Sequence, residues 1–208
     1  MNFLFVILHF DLCILNYLNN SLFLLDRSMN NKTTNNNFTL WFTGLSAAGK
    51  TTLAQKVFEQ LKQQELPVHN LDGDEVRAAS PRQLGFTPED RDENIRLAVD
   101  LAKQYQDSGY SVIASFISPY KHHRQWGREK LSNFVEIFVD TPLEVCESRD
   151  PKGLYEKARR GEIQYFTGVD DPYEAPEAPD IHLRTNPHSI EECAEDIFGY
   201  LKRRGLMR

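Results

Sequence analysis

The stretch Gly44-Leu45-Ser46-Ala47-Ala48-Gly49-Lys50-Thr51-Thr52 follows the apolar run Phe38-Thr39-Leu40-Trp41-Phe42-Thr43 and leads into the helix-forming run Leu53-Ala54-Gln55-Lys56-Val57. It fits G-x-x-x-x-G-K-[ST], with a strand before it and a helix after it. Glycines let such a loop wrap so that backbone N–H groups point at phosphate oxygens, and the helix N-terminus adds a partial positive charge. Gly44 through Thr52 are therefore the candidate nucleotide-binding residues. Lys50 reaches toward the β and γ phosphates, and the Thr51 hydroxyl is the candidate ligand for ATP-bound Mg²⁺.

Outward from this loop, apolar β-branched or aromatic runs alternate with helical patterns, the signature of β-α units around a parallel sheet. Strands are expected at 38–43, 68–71, 111–117, 135–139 and 181–183. Helices are expected at 51–64, 88–108, 121–132, 143–149 and 190–203. The fold class is thus α/β, a P-loop NTPase fold with a five-stranded parallel sheet flanked by helices. Residues 150–179 are rich in charge, Gly and Pro and carry no strand pattern. A long segment of that kind inside a compact domain is expected to be a lid or binding loop.

The 208 residues suit one domain, spanning 38–208, and the net charge of −6 argues against nucleic acid as the main partner. Any anionic substrate must then be held by local Lys and Arg. Cys13, Cys146 and Cys193 are odd in number and widely spaced, a pattern of reducing compartments that points to the cytoplasm. The adjacent His122 and His123 are read as surface residues rather than a metal site, because sequence neighbours do not share a helix face. Residues 1–28 are apolar but have no basic residue before Arg27, and His9, Asp11, Asn16, Asn19 and Asn20 interrupt them. They therefore suit neither a secretory signal nor a membrane span. Residues 1–37 are expected to be an extension that is disordered or lies upstream of a start at Met29.

A switch GTPase would carry an N-K-x-D base motif, which is missing here. A motor ATPase would be larger. Asp72 and Asp74 stand on a turn after the second expected strand, where an α/β sheet places its ligand crevice. Either carboxylate can orient or deprotonate an acceptor hydroxyl, or Asp72 can simply close the strand with an Asx turn.

Six blocks, GLSAAGKTT, LDGDEVR, LGFTPEDRDENIR, SFISPY, IFVDTPLEVCESRDPKGLYEKARRGEI and FTGVDDPYEAPEAP, occur in the order found in adenylylsulfate kinases, and from Phe38 almost to the C-terminus the chain resembles that family. The resemblance implies transfer of the ATP γ-phosphate to the 3′-hydroxyl of adenosine 5′-phosphosulfate. It implies Asp72 and Asp74 at the reacting end, with Asp74 as the base. Arg77, Arg91, Asn94 and Lys152 are implied at the substrate, and Phe86 and Phe166 as a sandwich around its adenine. Lys157, Arg159 and Arg160 are the expected lid cations. Ser118 matches the family's proposed phosphoserine position, but only Tyr120 and Lys121 lie close in sequence to activate it. Direct transfer asks less of the site, so Ser118 is expected mainly to shape or hydrogen-bond the substrate pocket. A homodimer, and sulfate adenylyltransferase as a partner, complete the expectations.

The chain departs from the family pattern in two places. In the loop, Ala47 and Ala48 stand where Gly and Ser are usual and Thr51 where Ser is usual; threonine keeps the metal-binding hydroxyl, and alanine is expected to be accommodated at negative φ. Glu75 to Ser80 replace N-x-R-H-G-L, and Glu75 would repel an anionic substrate unless it points away. A related kinase acting on another hydroxyl acceptor, and a non-catalytic nucleotide-binding subunit, are the alternatives.

Overall fold

The computed structural model describes residues 36–207, apart from the side chains of Asp74 and Ala78. The N-terminal extension before residue 36, with Cys13 and Met29, lies outside the described residues. Five parallel strands form one sheet in the order β2-β3-β1-β4-β5. They are β1 (Thr39–Thr43), β2 (Val68–Leu71), β3 (Ser111–Ser115), β4 (Phe134–Asp140) and β5 (Ile181–Arg184). The helices are α1 (Lys50–Gln63), α2 (Gly73–Ala79), α3 (Pro88–Asp107), α4 (Lys121–Lys130), α5 (Leu143–Arg149), α6 (Leu154–Arg159) and α7 (Ile190–Arg203). Among the described residues no helix is long and apolar enough to cross a membrane.

β1 is central and buried along its whole length, and its period of two divides the core. Leu40 and Phe42 face one cluster with Leu53, Val57 and Leu61 of α1 and Ile197 and Leu201 of α7. Trp41 faces the other, with Ile95, Val99 and Ala102 of α3. Helices on both faces explain why the strands read as short continuous apolar runs. The connections run from β1 to the β2–β3 side and then cross to β4 and β5. The chain therefore reverses about β1, and the crevice for a ligand opens above its carboxyl end.

The helix starts follow local chemistry. Thr87 caps α3 by accepting from the Asp90 amide, with Pro88 in the first turn. Ser189 and Glu192 form a reciprocal capping box on α7. Two helices were not expected. α2 occupies the turn after β2, where Asp72 Oδ1 accepts the Glu75 amide at 2.9 Å. α6 lies within the 150–179 segment, where Asp150 accepts the amides of Leu154 and Glu156. Both are under eight residues, a length at which apolar periodicity is a weak guide, although the equally short α5 was expected.

Gly127 on α4 faces β4, and a Cβ there would lie 2.5 Å from the Phe134 ring. That ring is held by Trp41 at 5.9 Å and by the Arg128 guanidinium at 5.3 Å, so it has little room to yield. Alanine gains about 1 kcal/mol over glycine inside a helix, whereas overpacking costs about 1–3 kcal/mol. Gly127→Ala is expected to lower Tm by a few degrees in a thermal melt; an unchanged or raised Tm would show that the ring swings aside.

Candidate active site

Gly44 leaves β1 at φ +144, where a Cβ would stand 2.4 Å from the Val139 carbonyl oxygen, and Gly49 turns the chain into α1 at φ +100. Between them every carbonyl is held from behind. Lys50 Nζ donates to Leu45 O at 2.6 Å, Tyr155 Oη to Ser46 O at 3.1 Å, and Arg149 Nη1 to Ala47 O at 3.3 Å. Thr141 and Thr185 both donate to Ala48 O, at 3.0 and 3.1 Å. A trans peptide sets its N–H opposite its C=O. The amides of Ser46, Ala47 and Gly49 therefore turn away from these anchors, while the Ala48 amide closes a turn on Leu45 O at 3.3 Å.

The loop lines a cleft of about 990 Å³ together with Thr51 and Thr52. Burial pulls the Lys50 ammonium down to about 8. Burial likewise pushes the Cys146 thiol up, so this cysteine sits protonated beneath the loop. Ala47 does not keep negative φ; it sits at +58°. For a residue with a Cβ that conformation costs about 1–2 kcal/mol, and the Arg149 bond helps hold it.

The opposite wall of the cleft carries Asp72, Arg77, Phe86, Arg91 and Asn94. Glu75 points away: it takes His69 Nε2 at 3.0 Å and the Tyr105 hydroxyl at 2.8 Å. Burial pushes its carboxyl up, but these hydrogen bonds win and hold it below its usual value. Arg91 is buried, donating to Phe86 O at 2.9 Å and Tyr165 O at 2.7 Å with Asp171 at 3.8 Å. It therefore joins α3 to the 150–179 segment. Asn94 Oδ1 is buried with no hydrogen-bond partner. Phe86 is 36% exposed and Phe166 only 1%, and the rings meet edge to face at 5.9 Å. A base can stack on Phe86 as it stands, but a sandwich requires the two rings to part.

Ser118 lies at the cleft floor at φ +40, 1% exposed. Its hydroxyl accepts from Trp41 Nε1 at 3.1 Å and donates to Thr43 Oγ1 at 2.9 Å. Both roles of the oxygen are thus engaged within the core. Lys152 lines the cleft, but Lys157, Arg159 and Arg160 do not. Arg159 pairs with Glu147, and Arg160 with Glu156 and Glu162 at 2.8 Å each.

The structure adds residues that the sequence pattern did not single out. Arg149, Thr185 and His188 line the nucleotide-loop end of the cleft. Arg124 is buried, pairing with Glu136 at 2.9 Å and donating to Ser118 O at 2.9 Å, Tyr120 O at 3.2 Å and Glu174 O at 2.6 Å. Its signal in the sequence was a lone cation inside the first turns of a helix, indistinguishable from a solvated one. The histidine pair departs from expectation at one member, since His122 is exposed as expected and His123 is not. His123 is fully buried, and both imidazoles reach Asp92 Oδ1, at 2.8 Å for His122 and 2.9 Å for His123.

Comparison with known proteins agrees with this geometry. The family profile described as Adenylylsulphate kinase matches residues 36–184. An adenylyl-sulfate kinase of Halothermothrix orenii is 53% identical over 169 residues, covering 81% of this chain and 91% of its own. That of Saccharomyces cerevisiae is 49% identical over 174 residues, covering 82% and 86%. The solved structure of the Mycobacterium tuberculosis APS kinase CysC in complex with AMPPNP and APS aligns at a TM-score of 0.76 and 42% identity, covering 80% of this chain and 98% of that one. With the profile matching most of the chain and relatives about half identical over four fifths of it, the chain belongs to the adenylylsulfate kinase family.

Proposed function

We propose that the protein is an ATP-dependent adenylyl-sulfate kinase that passes the γ-phosphate of ATP to the 3′-hydroxyl of adenosine 5′-phosphosulfate, giving 3′-phosphoadenosine 5′-phosphosulfate. The observation that carries this reading is the single cleft in which the amide-lined loop faces Asp72, Arg77, Arg91 and Asn94. Phosphoryl transfer needs mostly positioning and charge neutralisation. Lys50 holds the transferring group, Arg77 and Arg91 hold the phosphosulfate, and Phe86 offers a face to the adenine with Phe166 behind it. Asp74 orients or deprotonates the 3′-hydroxyl, and Asp72 caps α2 so that the turn carrying both carboxylates is fixed.

Thr51 and Asp72 set hard oxygen donors on the same cleft, the donor set that Mg²⁺ takes. When bound with ATP, Mg²⁺ would neutralise phosphate charge there. Of the cations in the 150–179 segment, Lys152 and neighbouring Arg149 serve the cleft. Lys157, Arg159 and Arg160 contribute only if the lid moves, and for Arg159 and Arg160 only if their surface ion pairs break. Sulfate adenylyltransferase as supplier of the acceptor, a homodimeric assembly and a cytoplasmic setting belong to the same reading.

The direct test is ADP release by the purified chain with Mg²⁺ and ATP. Turnover is expected with adenosine 5′-phosphosulfate and not with AMP, and Lys50→Ala should lose at least about a hundredfold. Equal rates with AMP, or a Lys50→Ala variant near wild type, would refute the assignment.

Lys50 also sets a pH signature. In the empty folded chain its ammonium titrates at about 8 against 10.5 when free. Its burial therefore weakens folding below pH 8, and that penalty fades as pH rises toward 10.5, where the unfolded chain binds the extra proton. Bound phosphates restore the charged form, so ATP binding between pH 8 and 9 should take up protons and weaken with rising pH. Calorimetry in buffers of different ionisation enthalpy reads this; no uptake, or an affinity flat from pH 7 to 9.5, would contradict it.

Ser118 acts by holding the cleft floor. Ser118→Ala leaves the buried Trp41 N–H without its acceptor, a loss of about 1–3 kcal/mol. The variant should melt several degrees lower and still turn over by a sequential mechanism. Rapid γ-phosphate labelling of Ser118 in the native enzyme, chased into product at the turnover rate, would instead establish a covalent route.

A further inference from the structure

The Asp92, His122 and His123 cluster lies outside the machinery assigned above. Its three ligand-type atoms, one carboxylate oxygen and two imidazole nitrogens, all lie within 4.8 Å of one another. Two helices supply them: Asp92 from α3, and the histidines from the first turn of α4. The adjacent residues converge because Asp92 enters between them rather than along one face of α4. Both Nε2 atoms meet the same Oδ1.

We propose that Asp92, His122 and His123 bind a divalent first-row transition ion of the zinc class. Two imidazoles and one carboxylate form a borderline-soft donor set, which suits zinc, nickel or cobalt and is a poor match for Mg²⁺ or Ca²⁺. An ion between the three groups replaces two hydrogen bonds to one oxygen with three bonds to one charge. Access comes from the outer side, where His122 and Asp92 have side chains 47% and 34% exposed. That side leaves coordination positions open to water.

The surrounding rings give the cluster its rigidity. Trp126 packs on His122 at 4.8 Å and on His123 at 5.5 Å, and Tyr120 packs on His123 at 4.9 Å. The Arg96 guanidinium covers Trp126 at 4.5 Å, so its charge is spent on the indole face. Asp92 stands next to Arg91 and two residues before Asn94. An ion there would pin the wall that carries both to the Ser118–Tyr120 turn, so its role is structural or regulatory.

The test uses the full chain, stripped with chelator and free of nucleotide, with Co²⁺ as the probe and Zn²⁺ as competitor. Wild type is expected to take one Co²⁺ per chain with a visible d–d band that Zn²⁺ removes. At a hundredfold excess over the dissociation constant, Zn²⁺ should raise Tm by roughly 5–10 °C. His122→Gln and Asp92→Asn, both at partly exposed side chains and checked for native circular dichroism, should each weaken binding at least tenfold and so cut that rise to about half or less at the same Zn²⁺ concentration. No binding by wild type, or an ion kept by both variants and seated elsewhere, for example on thiolates with intense near-ultraviolet absorption, would overturn the proposal.

Discussion

The anchoring of four successive carbonyls, Leu45 to Ala48, is the constraint on which the rest of the site depends. A loop that offers amides to phosphate must put its oxygens somewhere, and a buried oxygen left unpaired is expensive. Lys50 holds Leu45 locally, but the other partners come from distant parts of the chain: Thr141 from just before α5, Arg149 from its last residue, Tyr155 from α6 and Thr185 from just after β5. The amide cradle is thus a product of the whole domain. Lys50 closes the loop on itself, from the first residue of α1 back to Leu45.

The Ser118 end of the cleft rests on a second hub. The Arg124 guanidinium, neutralised by Glu136, collects carbonyls from Ser118, Tyr120 and Glu174. Tyr173 reaches Thr43 at 3.0 Å, and Tyr120 reaches Asp171 at 2.8 Å. The second half of the 150–179 segment is therefore stitched to the ends of β1 and β3. The first half, with α6 and its surface ion pairs, has fewer such ties, and any lid movement would fall there.

Sequence pattern and structure agree most closely where one local rule decides. The glycines, Lys50 and Thr51 of the phosphate loop specify a strand-turn-helix by themselves, and the five apolar runs need only burial on both faces to become strands. Their ends differ by one or two residues, as at β3, which stops at Ser115, with Phe116 to Ser118 lining the cleft beyond it. What was hidden depends on contacts distant in sequence. Ala47 gives no sign that it must adopt positive φ, since that follows from Arg149 and the two glycines. Glu75 reads as an intruder near an anionic substrate until His69 and Tyr105 are seen to turn it away. The cations at 157–160 read as a lid cluster, yet Arg159 and Arg160 spend their charge on neighbouring glutamates.

Two glycines in this chain exclude a side chain for different reasons, and the difference governs which sequences can reach the same fold. At Gly127 the obstacle is the Phe134 ring, which a smaller residue at 134 would remove, so a paired exchange can open the position. At Gly44 the obstacle is the main-chain carbonyl of Val139 at 2.4 Å. Every amino acid carries that oxygen, so no second substitution at 139 relieves the clash. Position 44 is closed to mutational drift unless β1 and β4 themselves move apart. The first glycine of the phosphate loop therefore gauges the separation of the two central strands as much as it serves the nucleotide.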